Sequence, residues 1–355
     1  MKIAILNDTH FGVRNDSEAF RNYQLRFYNE IFFPYLEKNN IKTLIHLGDV
    51  VDRRKFINHQ TASIFRKEFF DRLWKQKIDT HIIIGNHDTY FKNTNEVNSP
   101  DLLLFESDNI NVIQEPEVRE YDGLNIALVP WINSENYADS VEFLMSANAP
   151  ICMGHFEFEG ALMHPGMTCQ HGLDHSYVKR FEKVYSGHFH QKSEFANIKY
   201  LGSQMQFTWS DFGDEKFFHI FDTETREMEP VHNPLKIFDK IFYDDTKETF
   251  ETLVNKDYSS VTGKFTKVIV VNKDNPYWFD AFLDKIHAAS PLHLQVVDDN
   301  KHMDLMDDAD VENVEDTLTI LTKYVDSMDI QGKKKPLTEL MTSLYNEALD
   351  EHTFI

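Results

Sequence analysis

Five short blocks of this chain carry the residue types that bind cations and move protons: Asp8 with His10, Asp49 with Asp52, Asn86-His87-Asp88, His155, and the pair His188 and His190. Carboxylates and imidazoles are ligands for divalent cations, the amide carbonyl of an asparagine adds a neutral oxygen, and imidazole exchanges protons near neutral pH. Each block also has a plain alternative. Taken alone, Gly85-Asn86-His87-Asp88 reads as a turn in which Asp88 caps the following segment, and a single histidine is more often structural than ligating. What sets these residues apart is placement, because each block directly follows an apolar run.

Residues 2–6, 43–47, 80–84, 149–154 and 183–186 are short apolar runs that read as interior strands covered on both faces. Between the first two, residues 17–39 put Phe20, Tyr23, Phe27, Ile31 and Leu36 on one helical stripe, as the crossover helix of a βαβ unit would. A second helix over 61–77 offers Phe65, Phe69, Phe70 and Leu73 to the core. In open α/β sheets, groups just past the carboxyl ends of the strands converge on one crevice. That geometry would bring Asp8, His10, Asp49, Asn86, His155, His188 and His190 into a single site.

A chain of 355 residues with 41% hydrophobic and 13% aromatic content supports one sizeable core and a smaller second unit. The apolar run at the N-terminus is too short for a signal peptide, and no stretch approaches the roughly 20 apolar residues of a membrane span. An intracellular, cytoplasmic protein is expected. Cys152 and Cys169 have no metal-like spacing, so neither a disulfide framework nor a thiolate zinc site is indicated, and Cys152 reads as a small core residue. The formal charge of -22 argues against a surface that binds nucleic acid all over. Much of that charge is local, since residues 298–329 hold eleven acids and two lysines. Basic clusters at 21–26, 53–55 and 66–77 are ordinary solvated faces unless they lie beside a site.

Taken together and in order, D-x-H at 8–10, G-D-x-x-D at 48–52, G-N-H-D at 85–88, G-H at 154–155 and G-H-x-H at 187–190 resemble the calcineurin-like metallophosphoesterase superfamily over residues 1–222. Within it, Val129-Pro130-Trp131 and Tyr200-Leu201-Gly202-Ser203 make the chain similar to the SbcD-type DNA-repair nucleases, those of T-even-type bacteriophages included. The resemblance implies an α/β (α+β) fold: a two-sheet β-sandwich flanked by helices over 1–233, a small α/β DNA-capping domain over 234–298, and an acidic linker with a helical hairpin over 299–355.

The same resemblance implies Asp8, His10 and His190 on one divalent ion, Asn86, His155 and His188 on a second, and Asp49 as the bridge. Mixed imidazole, amide and carboxylate ligands suit manganese, Mn(II), with Fe(II) or Mg(II) as the other candidates. Asp52 would support the ligands from behind. His87 would meet the scissile phosphate and protonate the leaving oxygen, with Asp88 as its orienter. Arg53 and Arg54 would either reach phosphates along a bound strand or remain plain surface charges. The implied activity is metal-dependent hydrolysis of DNA phosphodiesters, exonucleolytic on duplex ends and endonucleolytic on single strands or hairpins. The implied setting is double-strand-break processing with an SbcC-type coiled-coil ATPase, as a homodimer within a heterotetramer, in the host-cell cytoplasm if phage-encoded.

The later chain reads as strand 236–243, helix 246–255, strand 267–272, helix 276–288 and strand 292–297, without a catalytic cluster. Beyond it, Val314, Leu318, Leu321, Val325 and Met328 recur at helical steps, and after the break at 332–336 so do Leu337, Leu340, Met341, Leu344 and Tyr345. Two such stripes suggest a partner-binding hairpin. Packing against the chain's own capping domain is the alternative. Two other classes fit parts of the pattern. The 48–53 block also resembles the Ser/Thr protein phosphatases, which usually have Glu where Asp88 stands, and a non-catalytic scaffold would have kept every ligand for no use.

Overall fold

The apolar runs become strands because their side chains alternate between two buried faces. In β1 (Lys2–Leu6), Ile3 and Ile5 face a core between two sheets, while Ala4 and Leu6 face a core beneath the helices. The computed structural model describes residues 1–104, 107–164 and 167–298. All of these belong to one compact unit, Met1–Lys301. Residues 299–355, with the proposed docking positions Leu318, Leu321, Val325, Leu337, Leu340, Met341 and Leu344, lie outside the described residues.

The first sheet is parallel through β1, β2 (Thr43–His46), β3 (Asp79–Ile83) and β4 (Ile110–Ile113). The second contains β5 (Glu117–Tyr121), β6 (Leu124–Val129), β7 (Ile151–Gly154), β10 (Lys183–Ser186), β11 (Ser193–Phe195) and β12 (Ile198–Tyr200), in the order β11-β12-β10-β7-β6-β5. A short hairpin of β8 (Leu162–His164) and β9 (Met167–Thr168) interrupts it in sequence. The chain then returns to the first sheet, where β13 (Lys216–Asp222) pairs antiparallel with β1, and β14 (Met228–Asn233) pairs with β13. Ile45, Leu47 and Ile83 of one sheet pack with Ile126, Ile151, Met153 and Tyr185 of the other.

This is the expected two-sheet sandwich flanked by helices. The five site-bearing strands do not lie in one sheet, however: β1 to β3 are in the first, β7 and β10 in the second. Contacts between the loops after the strands join the two sets at one end. The Nδ1 atom of His155, after β7, is 2.7 Å from the carbonyl oxygen of Leu47, after β2.

Both long helices depart from a simple 3.6-residue stripe. A π-helical turn at Tyr28–Phe32 joins Glu18–Phe27 to Phe33–Lys38, and another at Arg66–Phe70 joins His59–Phe65 to Asp71–Lys75. The wider turn shifts the inner face by about one residue. It thereby buries the adjacent pairs Phe32-Phe33 and Phe69-Phe70 and leaves Ile31 only half-buried.

A third, all-parallel sheet is formed by β15 (Phe238–Asp244), β16 (Phe265–Asn272) and β17 (His293–Asp298). Helices Phe250–Asn255 and Pro276–Ala288 help form its own core, which includes Tyr243, Leu253, Val268, Phe282 and Ile286. It meets the sandwich through aromatic pairs, Trp209 with Phe238 at 4.5 Å and Phe20 with Phe265 at 5.4 Å.

Candidate metal centre

Strands β1, β2 and β10 each end in a loop that turns sharply, and the turns are tight enough to need unusual backbone. Asp8, His10, Asp49 and His188 all take left-handed φ, at 49°, 43°, 57° and 84°. Such conformations are costly for non-glycine residues and persist where surrounding contacts fix them. Here the Asp8 amide donates to the Gly48 carbonyl at 2.9 Å and the His10 amide to the Asp49 carbonyl at 3.1 Å. Glycine is required at two neighbouring points. A Cβ on Gly85 would collide with the Asp49 carboxylate and amide, and one on Gly48 would lie 2.7 Å from Nδ1 of His155.

The side chains gather in two adjacent groups. In one, Oδ1 of Asn86 lies 2.9 Å from Nε2 of His155 and 3.0 Å from Nδ1 of His188, and Oδ2 of Asp49 lies 3.3 Å from the same His155 nitrogen. In the other, Nε2 of His10 is 3.0 Å from Nε2 of His190 and 3.9 Å from Oδ1 of Asp8. Oδ2 of Asp49 is also 3.8 Å from Nε2 of His10, so one carboxylate borders both groups.

Burial and mutual proximity set the charge states. His10 and His188 are pushed well below the usual imidazole range by burial and by neighbouring histidines, and so present neutral rings with lone pairs. Burial alone would raise the Asp49 carboxyl, but His155 and His87 outweigh it and hold that group well below the usual carboxylate range. Burial opposes charge on His155 as well, yet Asp49 raises it to about 9. Asp8 is raised, chiefly by burial.

Residues 1–192 match the calcineurin-like phosphoesterase family. Over 351 residues the chain is 33% identical to exonuclease subunit 1 of Enterobacteria phage T4, an alignment covering 98% of this chain and 99% of that protein. The chain belongs to the calcineurin-like phosphoesterase family. It is thus a hydrolase of phosphate ester bonds, as the five sequence blocks implied. Among solved structures it is similar to a novel archaeal phosphodiesterase, at 14% identity over 66% of this chain and 100% of that one, with a TM-score of 0.34. It is also similar to the nuclease MPE of Pseudomonas putida, at 16% identity over 64% of this chain and 87% of that one, with a TM-score of 0.30.

The donor set of this phosphoesterase suits the divalent metals that its family uses. Asp8, His10 and His190 form one group able to hold an ion, and Asp49, His155 and His188 form another, with ligand atoms in each group within 4.8 Å of one another. Donation from Nδ1 of His155 to the Leu47 carbonyl turns its Nε2 toward the Asn86 oxygen and the Asp49 carboxylate, and a cation held there would take the place of the Nε2 proton that Asp49 otherwise stabilises.

His87 lies beside these groups, its ring 4.9 Å from that of His10 and edge-on to it. Its expected orienter is corrected by the structure. The Asp88 carboxylate accepts backbone N–H bonds from Asp49 and Gly85 at 2.9 Å and from Val50 at 2.8 Å, so it clamps two loops together. Nδ1 of His87 instead meets the backbone carbonyl of Asp52 at 2.6 Å. The Asp52 carboxylate lies 3.7 Å from Nδ1 of His10, behind that ring. Arg53 forms an ion pair with Asp16 and lies over the Phe56 ring at 4.6 Å, while Arg54 is half-buried.

Several neighbours escaped sequence reasoning. Asn7 donates to Asp8 at 2.5 Å and to the Gly202 carbonyl at 2.9 Å. Glu157 approaches Nε2 of His188 to 3.9 Å, on the same ring that Trp131, from the Val129-Pro130-Trp131 block already singled out, approaches to 5.3 Å. Asn7 adjoins a recognised block and could have been flagged by that adjacency. Glu157 follows Gly154-His155 by two residues but has no distinguishing type or spacing.

Proposed function

We propose that this chain is the nuclease subunit of a DNA-processing complex, hydrolysing phosphodiesters with two divalent cations, Mn(II) in preference to Mg(II) or Fe(II). Asp8, His10 and His190 would hold one ion, Asn86, His155 and His188 the other, and Asp49 both. The observation that carries this reading is the convergence of those seven side chains, from loops after strands of two sheets, in a chain related end to end to a phage exonuclease subunit. When bound, such ions acidify water and neutralise charge developing on a phosphate.

The remaining steps belong to the protein's own groups. His87, held at Nδ1 by the Asp52 carbonyl, uses Nε2 to hydrogen-bond the phosphate and deliver a proton to the departing sugar oxygen. Asp88 keeps the Asp49 and Gly85 loops at the spacing that the bridging carboxylate needs. Arg53, engaged with Asp16, is better suited to shaping the loop after Asp49 than to gripping a phosphate, and phosphate contact stays with Arg54.

The third sheet is proposed as the DNA-capping element. Residues 299–355 are proposed as the docking segment for an SbcC-type ATPase in a heterotetramer built on a homodimer of this chain, working in the cytoplasm on double-strand breaks. The activity is tested with Mn(II) on linear duplex, hairpin and single-stranded DNA beside a phosphomonoester. Manganese-dependent DNA cleavage with little phosphomonoesterase activity is expected, and the reverse preference would make the protein a phosphatase. Deleting residues 331–355 should abolish co-purification with the ATPase while cleavage of simple ends persists; loss of intrinsic cleavage would assign that segment to this protein's own core.

A further inference from the structure

The loop carrying His188 and His190 is held at its far end through the His190 carbonyl, which accepts from the Ser203 amide at 3.0 Å and from a buried cation. Lys216 on β13 is 2% exposed. Its ammonium lies 2.5 Å from Oδ1 of Asp211, 3.0 Å from Oδ2 of Asp214 and 3.0 Å from the carbonyl oxygen of His190, which matches its three donors to three acceptors. The other oxygen of Asp211 accepts the amides of Phe207 and Thr208 at 2.8 and 2.9 Å. That fixes the Phe207 backbone, whose carbonyl also accepts from Nε of Arg14 at 3.0 Å. The Phe207 ring in turn lies edge-on to both His10 and His190, 5.6 Å from each.

The network therefore touches the backbone of one imidazole donor and supports the rings of two, all in the Asp8–His10–His190 group. Among the described residues, none of the hydrogen bonds of Lys216 or Asp211 goes to Asn86, His155 or His188. A buried ion pair is by itself weak support for stability, since apolar replacements of similar volume are often neutral or stabilising. We infer that Lys216, acting with Asp211, is a positioning residue for one cation only, the one held by Asp8, His10 and His190. The inference rests on the two-ion reading above. Partners of ligand side chains commonly tune affinity in this way.

Lys216→Met alone would strand the Asp211 charge, so the pair is changed together, Lys216→Met with Asp211→Asn, whose amide oxygen can still accept the Phe207 and Thr208 amides. Metal-free full-length protein is titrated with Mn(II), bound ions are followed by electron paramagnetic resonance, and metal-free melting is recorded alongside. Wild type should take up two ions with a spin-coupled signal. The double variant should keep one ion at wild-type affinity, bind the second about 10–100-fold more weakly, lose the coupled signal and melt as wild type does. Two ions bound as in wild type would overturn the inference. So would parallel weakening of both ions with a lower melting point, which would make the pair a general part of the scaffold. A wild-type chain that takes up only one ion would overturn the two-ion reading itself, and the inference with it.

Discussion

The two donor groups share Asp49 and a crevice, but they are framed differently. Around Asn86, His155 and His188, the support comes from the loops after the strands: His155 is tied to the Leu47 carbonyl, and the His188 amide donates to both oxygens of Asp8 at 3.1 Å. Around Asp8, His10 and His190, two of the three residues have left-handed backbone, and part of the support comes from Phe207, Asp211 and Lys216, which lie later in the chain than every donor. A site of repeated residue types need not be mechanically symmetrical. One half is set by the ends of the strands, and the other depends on a late segment folding back beneath it.

The largest effect expected is from Asp49→Ala, which removes the carboxylate bordering both halves. Cation content of the purified variant should fall for both ions and hydrolysis should disappear; retention of two ions would show that the halves are independent. His87→Ala should act on neither half. Metal content and DNA binding are expected to stay, while cleavage falls about 10²–10⁴-fold, the usual range for a lost general acid. Loss of an ion with that variant would make His87 a ligand.

Asp88→Asn separates a loop clamp from a His87 orienter. An amide offers one acceptor oxygen where the carboxylate uses two, so buried backbone N–H groups of the Asp49 and Gly85 loops lose partners, at about 1–3 kcal/mol each. A lower melting point with weakened ion binding is expected. If ions and melting stay unchanged while cleavage falls as in His87→Ala, Asp88 serves His87 after all. Its carboxyl is raised to about 7 by burial and by Asp49, which marks how little solvent the clamp sees.

The smallest effect concerns acid sensitivity away from the crevice. Buried His219 on β13 is depressed from its ordinary 6.5 to about 3, because burial disfavours its charged form. A depressed histidine gives stability that is complete above about 6.5 and is lost as pH falls toward 3. Unfolding free energies from urea titrations at pH 7 and 4.5 should therefore converge in His219→Gln by up to about 2–3 kcal/mol relative to wild type. An unchanged acid loss would place that sensitivity in the two donor groups instead.

The blocks Asp8–His10, Asp49, Asn86–Asp88, His155 and His188–His190 were legible because their chemistry is carried by residue type and by position after an apolar strand. The division of the strands between two sheets was not, since an interior strand reads the same in either. Nor were the π-helical turns, which answer to the packing of Phe32-Phe33 and Phe69-Phe70 against a core the sequence does not display. The partners of Asp88 were hidden for a related reason. Adjacency to His87 is visible in the chain, whereas its bonds to Asp49 and Val50 span 39 and 38 residues.

In the proposed site, two ions would sit side by side on Asp49. Anomalous diffraction from crystals grown with Mn(II) tests it most directly. Two manganese peaks about 3.5–4 Å apart, the spacing of two-metal hydrolytic sites, are expected, one against Asp8, His10 and His190 and the other against Asn86, His155 and His188. A single peak, or two that do not share the Asp49 carboxylate, would contradict it.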